Sequence, residues 1–255
     1  MCLSYQQSNK TLTANGVDFH YALEGDVSKP VLALVNMASV NLTAWEPVMV
    51  TLLKSYRILR FDIRGTGKST WGTDDEFTFS QYADDLAAIM DVLNIPKAFV
   101  LGVAYGARTA AQFALRHENK LTGLALFDVA LTPPVEQSQQ KILAAKAREL
   151  LKEASEPEIE FKKSWRFYEN RDAALKAHTA HQHEPDTSNM MGHLKVPVLV
   201  ACGKQDMNLN EAQRIAKVIP GGKFELMEMT GHGSPFFRPD HFANIVNDFH
   251  GQLIL

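Results

Sequence analysis

Leu101-Gly102-Val103-Ala104-Tyr105-Gly106-Ala107 is the stretch that decides the fold. A β-leaning run at 97–101 leads into it and a helical pattern at 105–116 leads out. Its spacing is that of G-x-S-x-G, in which flanking glycines let a strand turn sharply into a helix and lift the central residue clear of the sheet. Here the central residue is Ala104, whose methyl group can neither be deprotonated nor attack a carbonyl. Taken alone, the five residues also fit any small-residue strand-to-helix turn, where little bulk is tolerated. The surrounding sequence weighs between the two.

Outward from this turn, short apolar runs recur at 31–35, 56–61, 98–103, 121–127 and 196–201, the character of strands buried on both faces. Helical patterns at 44–54, 79–93 and 105–116 lie between them; another at 210–218, a strand at 223–229 and a helix at 239–253 follow. This alternation predicts an α/β fold with a mostly parallel central sheet flanked by helices. Runs at 11–14 and 17–23, joined by Asn15-Gly16, predict an antiparallel edge hairpin with a type I′ turn. The alternation stops at 133–193, where helical patterns at 135–154, 157–168 and 172–183 follow one another without a strand. That block reads as a helical cap, inserted over the carboxyl edge of the sheet where ligands bind in open α/β folds. The expected division is a core of 1–132 and 194–255 and a cap of 133–193.

At 255 residues and 45% hydrophobic, the chain can bury the core of one large α/β domain. A formal charge of −3 gives no electrostatic case for nucleic acid or an anionic membrane. No apolar run approaches the roughly 18–20 residues of a membrane span, and the first ten residues lack a secretory apolar segment. Cys2 and Cys202 lie far apart without a C-x-x-C spacing, which fits a reducing compartment. The expectation is a cytoplasmic protein with a small-molecule partner, neither nucleic acid nor membrane, and with self-association left open.

Two further stretches carry chemistry. Gly231-His232-Gly233 follows the last predicted strand, and a histidine in a glycine-flanked loop is free to swing over the sheet edge. Gly203-Lys204-Gln205-Asp206 follows the strand at 196–201 and puts Asp206 just past a strand end. An N-cap or turn aspartate would stand there too. The order elbow, acid, histidine is that of the Ser…Asp…His constellation on α/β sheets.

On these residues the chain resembles the α/β-hydrolase superfamily over nearly its whole length. Asp62-Ile63-Arg64-Gly65-Thr66-Gly67-Lys68-Ser69 is similar to that superfamily's D-x-R-G-x-G-x-S loop. The stretch 36–45, from Asn36 to Trp45, resembles the oxyanion loop of 3-oxoadipate enol-lactonase-like esterases. The resemblance implies an α/β-hydrolase fold and a hydrolase of small esters or lactones that needs no cofactor. It implies His232 as general base, Asp206 as its orienting acid with Asp128 the alternative, and Ala104 at the nucleophile position. The oxyanion hole would use the backbone N–H of Tyr105 and of Ala38, with Met37 the second choice. Trp165, Met190 and Met191 would line the substrate pocket, although apolar residues at helical spacing also serve packing.

Gly67-Lys68-Ser69 ends like a phosphate-binding loop, but Asp62 stands where that motif needs glycine, so Lys68 reads as a surface residue. His178, His181 and His183 lack supporting ligand spacing, so no metal is expected. The alanine leaves two readings open. Either residue 104 replaces a serine in an otherwise complete acyl-transfer apparatus, or the protein is non-hydrolytic, a ligand-binding pseudoenzyme or an enzyme using His232 and Asp206 as a base.

Overall fold

The computed structural model describes residues 10–72, 77–132, 139–157, 159–166, 172–173, 175–176 and 185–253. Its strands are β1 (Lys10–Ala14), β2 (Val17–Glu24), β3 (Val31–Val35), β4 (Arg57–Phe61), β5 (Ala98–Val103), β6 (Leu121–Phe127), β7 (Val198–Gln205) and β8 (Lys223–Gly231). They form one sheet in the order β1-β2-β4-β3-β5-β6-β7-β8. β2 runs antiparallel to both β1 and β4, and the remaining pairs are parallel. The Asn15-Gly16 turn has both residues at positive φ, 47° and 71°, as a type I′ hairpin requires.

The central strands are apolar without interruption because helices cover both faces. Side chains alternate across a strand, so Ala33, Val35 and Val100 enter one core while Leu32, Leu34, Phe99, Leu101 and Val103 enter the other. The first core is closed by α2 (Phe79–Val92), α3 (Tyr105–His117) and α5 (Leu209–Val218), through residues such as Tyr82, Phe113 and Ile215. The second is closed by α1 (Glu46–Leu52) and α6 (Pro239–Gly251), through Val48, Met49, Phe242 and Val246. α2 starts at a Thr78 N-cap that accepts from the Gln81 N–H at 3.1 Å, while Pro239 opens α6.

Two expectations are revised. Residues 203–205 continue β7 instead of forming a turn, because Gly203 packs against β8. A Cβ at Gly203 would lie 2.2 Å from the Thr230 carbonyl oxygen, so the glycine serves close strand approach rather than a chain reversal. Residues 159–166 form no α-helix: a 3-10 turn at Lys163–Trp165 leads to an antiparallel bridge between Arg166 and Val40. The carbonyls of Trp165 and Ser164 accept from the Asn41 N–H at 2.9 Å and its side-chain amide at 2.8 Å, so this backbone bonds to a distant loop. Within 133–193, α4 (Gln140–Glu153) packs its Ala147 and Leu151 on Phe237, and the described residues 172–173 and 175–176 are also helical. Most of the 172–183 pattern, including His178, His181 and His183, lies outside the described residues.

Candidate active site

Ala104 joins β5 to α3 at φ 53° and ψ −111°, a conformation an L-residue adopts at a cost of about 1–3 kcal/mol. Its N–H donates to the Phe127 carbonyl at 2.8 Å, and its own carbonyl accepts from Ala107 at 3.0 Å. Both motif glycines are steric necessities. A Cβ on Gly102 would stand 2.2 Å from the Gly106 oxygen, and one on Gly106 would stand 2.2 Å from the Val35 oxygen and 2.6 Å from that of Asn36. The N-terminus of α3 is thereby pressed against the end of β3, where the next loop begins. Tyr105 opens α3 with its ring 4.7 Å from that of Phe79 and its hydroxyl donating to Tyr82 at 3.3 Å.

The loop after β3 is fixed by polar side chains that reach across it. Asn36 is fully buried, donates to the Phe61 carbonyl at 2.9 Å and accepts from the Trp45 indole at 2.7 Å. Asp62 accepts from the Leu42 N–H at 2.7 Å and the Lys68 N–H at 2.9 Å, and pairs with His20 Nδ1 at 2.7 Å. Gly67 leaves room for this carboxylate, since a Cβ there would fall 1.8 Å from Asp62 Oδ2. Arg64 forms a bidentate pair with Asp85 at 2.7 Å to each oxygen, with both residues buried. Lys68 is exposed, in keeping with a hydrolase-type loop. Ala38 stands exposed on this loop beside Ser39 at φ 63°, while the Met37 side chain is buried in the core under α1 and α6.

Asp206 and His232 arrive from adjacent strands at the carboxyl edge, one residue past β7 and one past β8. The Gln205 side chain accepts from the Thr230 N–H at 3.1 Å and ties the two strand ends together. His232 Nδ1 lies 2.9 Å from Asp206 Oδ2, with the Asp206 side chain wholly buried and that of His232 32% exposed. The other Asp206 oxygen accepts from the Asn208 N–H at 2.9 Å. Burial opposes the imidazolium, but the hydrogen bond and charge of Asp206, with the Asp128 charge behind it, prevail, and the His232 pKa is raised. With Nδ1 engaged, Nε2 is the ring atom left to exchange a proton with a ligand.

Asp128 stands at the end of β6, fully buried, and bonds to Gly233 and Ser234 rather than to the imidazole. The carboxylate hydrogen-bonded to His232 is that of Asp206. Trp165 is buried in the apolar cluster against which Ala104 packs, its ring stacked 5.5 Å from Phe236. Met191 is fully buried in the core beside α5, and Met190 is 53% exposed. The loop fasteners Asn36, Asp62 and Arg64 stand in the two stretches that carry the resemblance, 36–45 and 62–69, where the sequence reading assigned them no role. Ligand atoms of Asp128, Cys202 and Asp206 lie within 4.8 Å of one another. Holding a cation there would take both carboxylates from the hydrogen bonds that fix the loops.

A family model described as alpha/beta hydrolase fold matches residues 34–150. The chain has the α/β-hydrolase fold. It is 26% identical to a putative carbamate hydrolase RutD of Caulobacter sp. (strain K31), over 82% of this chain and 87% of the relative. It is 23% identical to 3-oxoadipate enol-lactonase 2 of Acinetobacter baylyi, over 92% and 94% of the two chains. The crystal structure of the enol-lactonase from Burkholderia xenovorans LB400 superposes with a TM-score of 0.78 at 25% identity, covering 95% of this chain and 100% of that one. These likenesses support the lactonase-like branch expected from the 36–45 loop. Among the described residues, no helix is long and apolar enough to cross a membrane.

Proposed function

We propose that this site is the acyl-transfer centre of a hydrolase for small esters or lactones, with Ala104 in the nucleophile position. Residues 133–193 serve as its cap, and Trp165 contributes to the apolar wall of its pocket. The observation that carries this reading is the 2.9 Å pairing of His232 Nδ1 with buried Asp206, at the sheet edge that also presents the strained Ala104 turn. Asp206 holds the imidazole in the tautomer with its proton on Nδ1, which leaves Nε2 to take a proton from a nucleophile and return it to a leaving group. The N–H groups of Tyr105 and Ala38 receive the developing oxyanion, and as main-chain donors they do not depend on the side chain at 104. With alanine the chain binds acyl ligands but does not form an acyl-enzyme.

The test is Ala104→Ser. In a serine hydrolase, loss of the nucleophile alone costs on the order of 10⁶ in kcat, so its introduction is visible against any background. The variant is expected to hydrolyse p-nitrophenyl acetate or a member of a panel of small esters, lactones and carbamates, the last suggested by the RutD relatives. That activity is expected to vanish with His232→Ala. Because His232 must be neutral to act as base and its pKa is raised, kcat/KM is expected to rise with pH about a midpoint above the usual 6.5.

The second reading rests on Ala104 itself, which supplies no attacking atom. A non-hydrolytic protein would either hold a ligand or use His232–Asp206 as a base. An Ala104→Ser variant that folds, yet is as inert as the parent across the panel, favours that reading.

A further inference from the structure

Asp128 follows β6, the strand beside β7, and its backbone takes the left-handed region at φ 53°. No solvent reaches it, and the shortest backbone hydrogen bonds to its carboxylate come from more than a hundred residues away, in the loop that carries His232. Oδ2 accepts from the Gly233 N–H at 3.0 Å and the Ser234 N–H at 2.7 Å. The Ser234 hydroxyl lies 2.6 Å from Oδ2 and 2.7 Å from Oδ1, and a long 3.3 Å contact from the Gly203 N–H reaches Oδ1. The Asp128 carbonyl accepts from the Asn208 side chain at 3.0 Å, two residues past Asp206. One residue therefore fastens both loops that bring the histidine and its acid together. Gly233, at φ 90°, supplies the backbone freedom that lets consecutive N–H groups converge on one carboxylate.

We propose that Asp128 is the positioning residue of this site: its carboxylate clamps the Gly233–Ser234 turn and so holds the His232 imidazole in line with Asp206. The proposal rests on the reading of His232 and Asp206 as a working pair, but not on hydrolysis. A buried carboxylate is destabilising unless its oxygens are satisfied, and here the oxygens are satisfied by the loop that needs fixing.

The clamp also has an electrostatic side. The groups facing one another are Asp128 just past β6, Cys202 in β7, Asp206 just past β7, and His232 and Ser234 in the loop after β8. Burial and the Asp206 charge push Asp128 up to about 6, against the opposing pull of His232 and Ser234. Burial and the two carboxylates keep the Cys202 thiol protonated. Asp128 in turn favours the charged imidazole.

The test uses the protein as it stands, with Ala104, and reads the His232 ring by NMR. Asp128→Asn is expected to lower the His232 pKa and to speed solvent exchange of its Nδ1 proton. Ser234→Ala, which removes one donor and leaves the charge, is expected to speed that exchange with a smaller movement of the pKa. In an Ala104→Ser background, Asp128→Asn is expected to reduce kcat on the order of 10–100-fold with KM little changed, the range for a misplaced catalytic group. Its pH–rate midpoint should move down.

Folded Asp128→Asn and Ser234→Ala variants with an unaltered His232 titration and exchange rate would overturn the proposal. So would an Asp206→Asn variant that keeps the parent's behaviour while Asp128→Asn abolishes it, since Asp128 would then be the acid. If Asp128→Asn does not fold, Ser234→Ala decides by itself. An inert Ala104→Ser protein with the NMR changes present would sink the hydrolase reading and leave the clamp standing.

Discussion

Gly106→Ala and Gly251→Ala make the same chemical change in two helices and should move stability in opposite directions. Gly251 is the last residue of α6, exposed, with nothing within 4 Å of an added Cβ. Alanine there gains up to about 0.5–1 kcal/mol of helix propensity, less at a helix end than in the interior. The same gain at Gly106 is opposed by the Val35 oxygen at 2.2 Å, the Asn36 oxygen at 2.6 Å and the Val35 carbonyl carbon at 2.8 Å. All three are backbone atoms at the end of β3, which is hydrogen-bonded on both sides by β4 and β5. No side-chain rotation relieves such a clash, so α3 or the end of β3 must retreat. Overpacking of this kind costs about 1–3 kcal/mol and more against rigid backbone. The net expectation for Gly106→Ala is a loss of about 1–3 kcal/mol, against a gain of a few tenths for Gly251→Ala. Urea unfolding followed by tryptophan fluorescence measures both, with unchanged slopes required for the comparison. In a domain of this size each kcal/mol moves Tm by about 2–4 °C. A Gly106→Ala protein as stable as the parent would refute the close approach of α3 to the Val35–Asn36 backbone.

Arg64→Met should destabilise by about 3–5 kcal/mol in chemical unfolding, because it strands the buried Asp85 carboxylate without its bidentate partner. Asn36→Ala leaves the Trp45 indole N–H and the Phe61 carbonyl without this partner; a loss of about 1–3 kcal/mol is expected. In the Ala104→Ser background it should also reduce kcat, since the loop carrying Ala38 loses its fastening. His250 is buried against Phe99, with ring centroids 4.9 Å apart, and burial lowers its pKa from 6.5. The unfolded chain therefore takes up that proton more readily, and the histidine's contribution is present above pH 6.5 and lost as pH falls through it. Comparing His250→Phe with the parent between pH 8 and 5 should show the parent losing more stability; parallel curves would contradict this.

The sheet was legible because its central strands are buried on both faces and read as unbroken apolar runs, as at 31–35 and 98–103. The elbow was legible because Gly102 and Gly106 are needed by contacts within one turn or with the adjoining strand. Strand order brought Asp206 and His232 together as expected, since each stands just beyond a strand end. Contacts without a local signature were not legible. Gly203 looked like a strand terminator because the Thr230 backbone that requires a glycine lies in another strand. Phe161 and Trp165 stand four apart, a spacing a helix could use, but the carbonyls of 164 and 165 accept from Asn41, over a hundred residues away. Asp128 could be suspected of chemistry from its place after a strand, but its partners Gly233 and Ser234 become neighbours only when β6, β7 and β8 pair.

The alanine has the most informative geometry in the chain. If position 104 served only to turn the backbone, glycine would take φ 53° without strain. Alanine keeps a cost of about 1–3 kcal/mol there. Nearby, two buried carboxylates lie within 4.8 Å of each other, and their repulsion contributes to raising Asp128 to about 6. Neither the strain nor the paired charges improves packing. Together they bring a histidine–carboxylate pair and a sharp turn to one sheet edge, the arrangement that the proposed hydrolase reading needs to activate a nucleophile. Relative to that arrangement, Ala104 lacks a single hydroxyl oxygen.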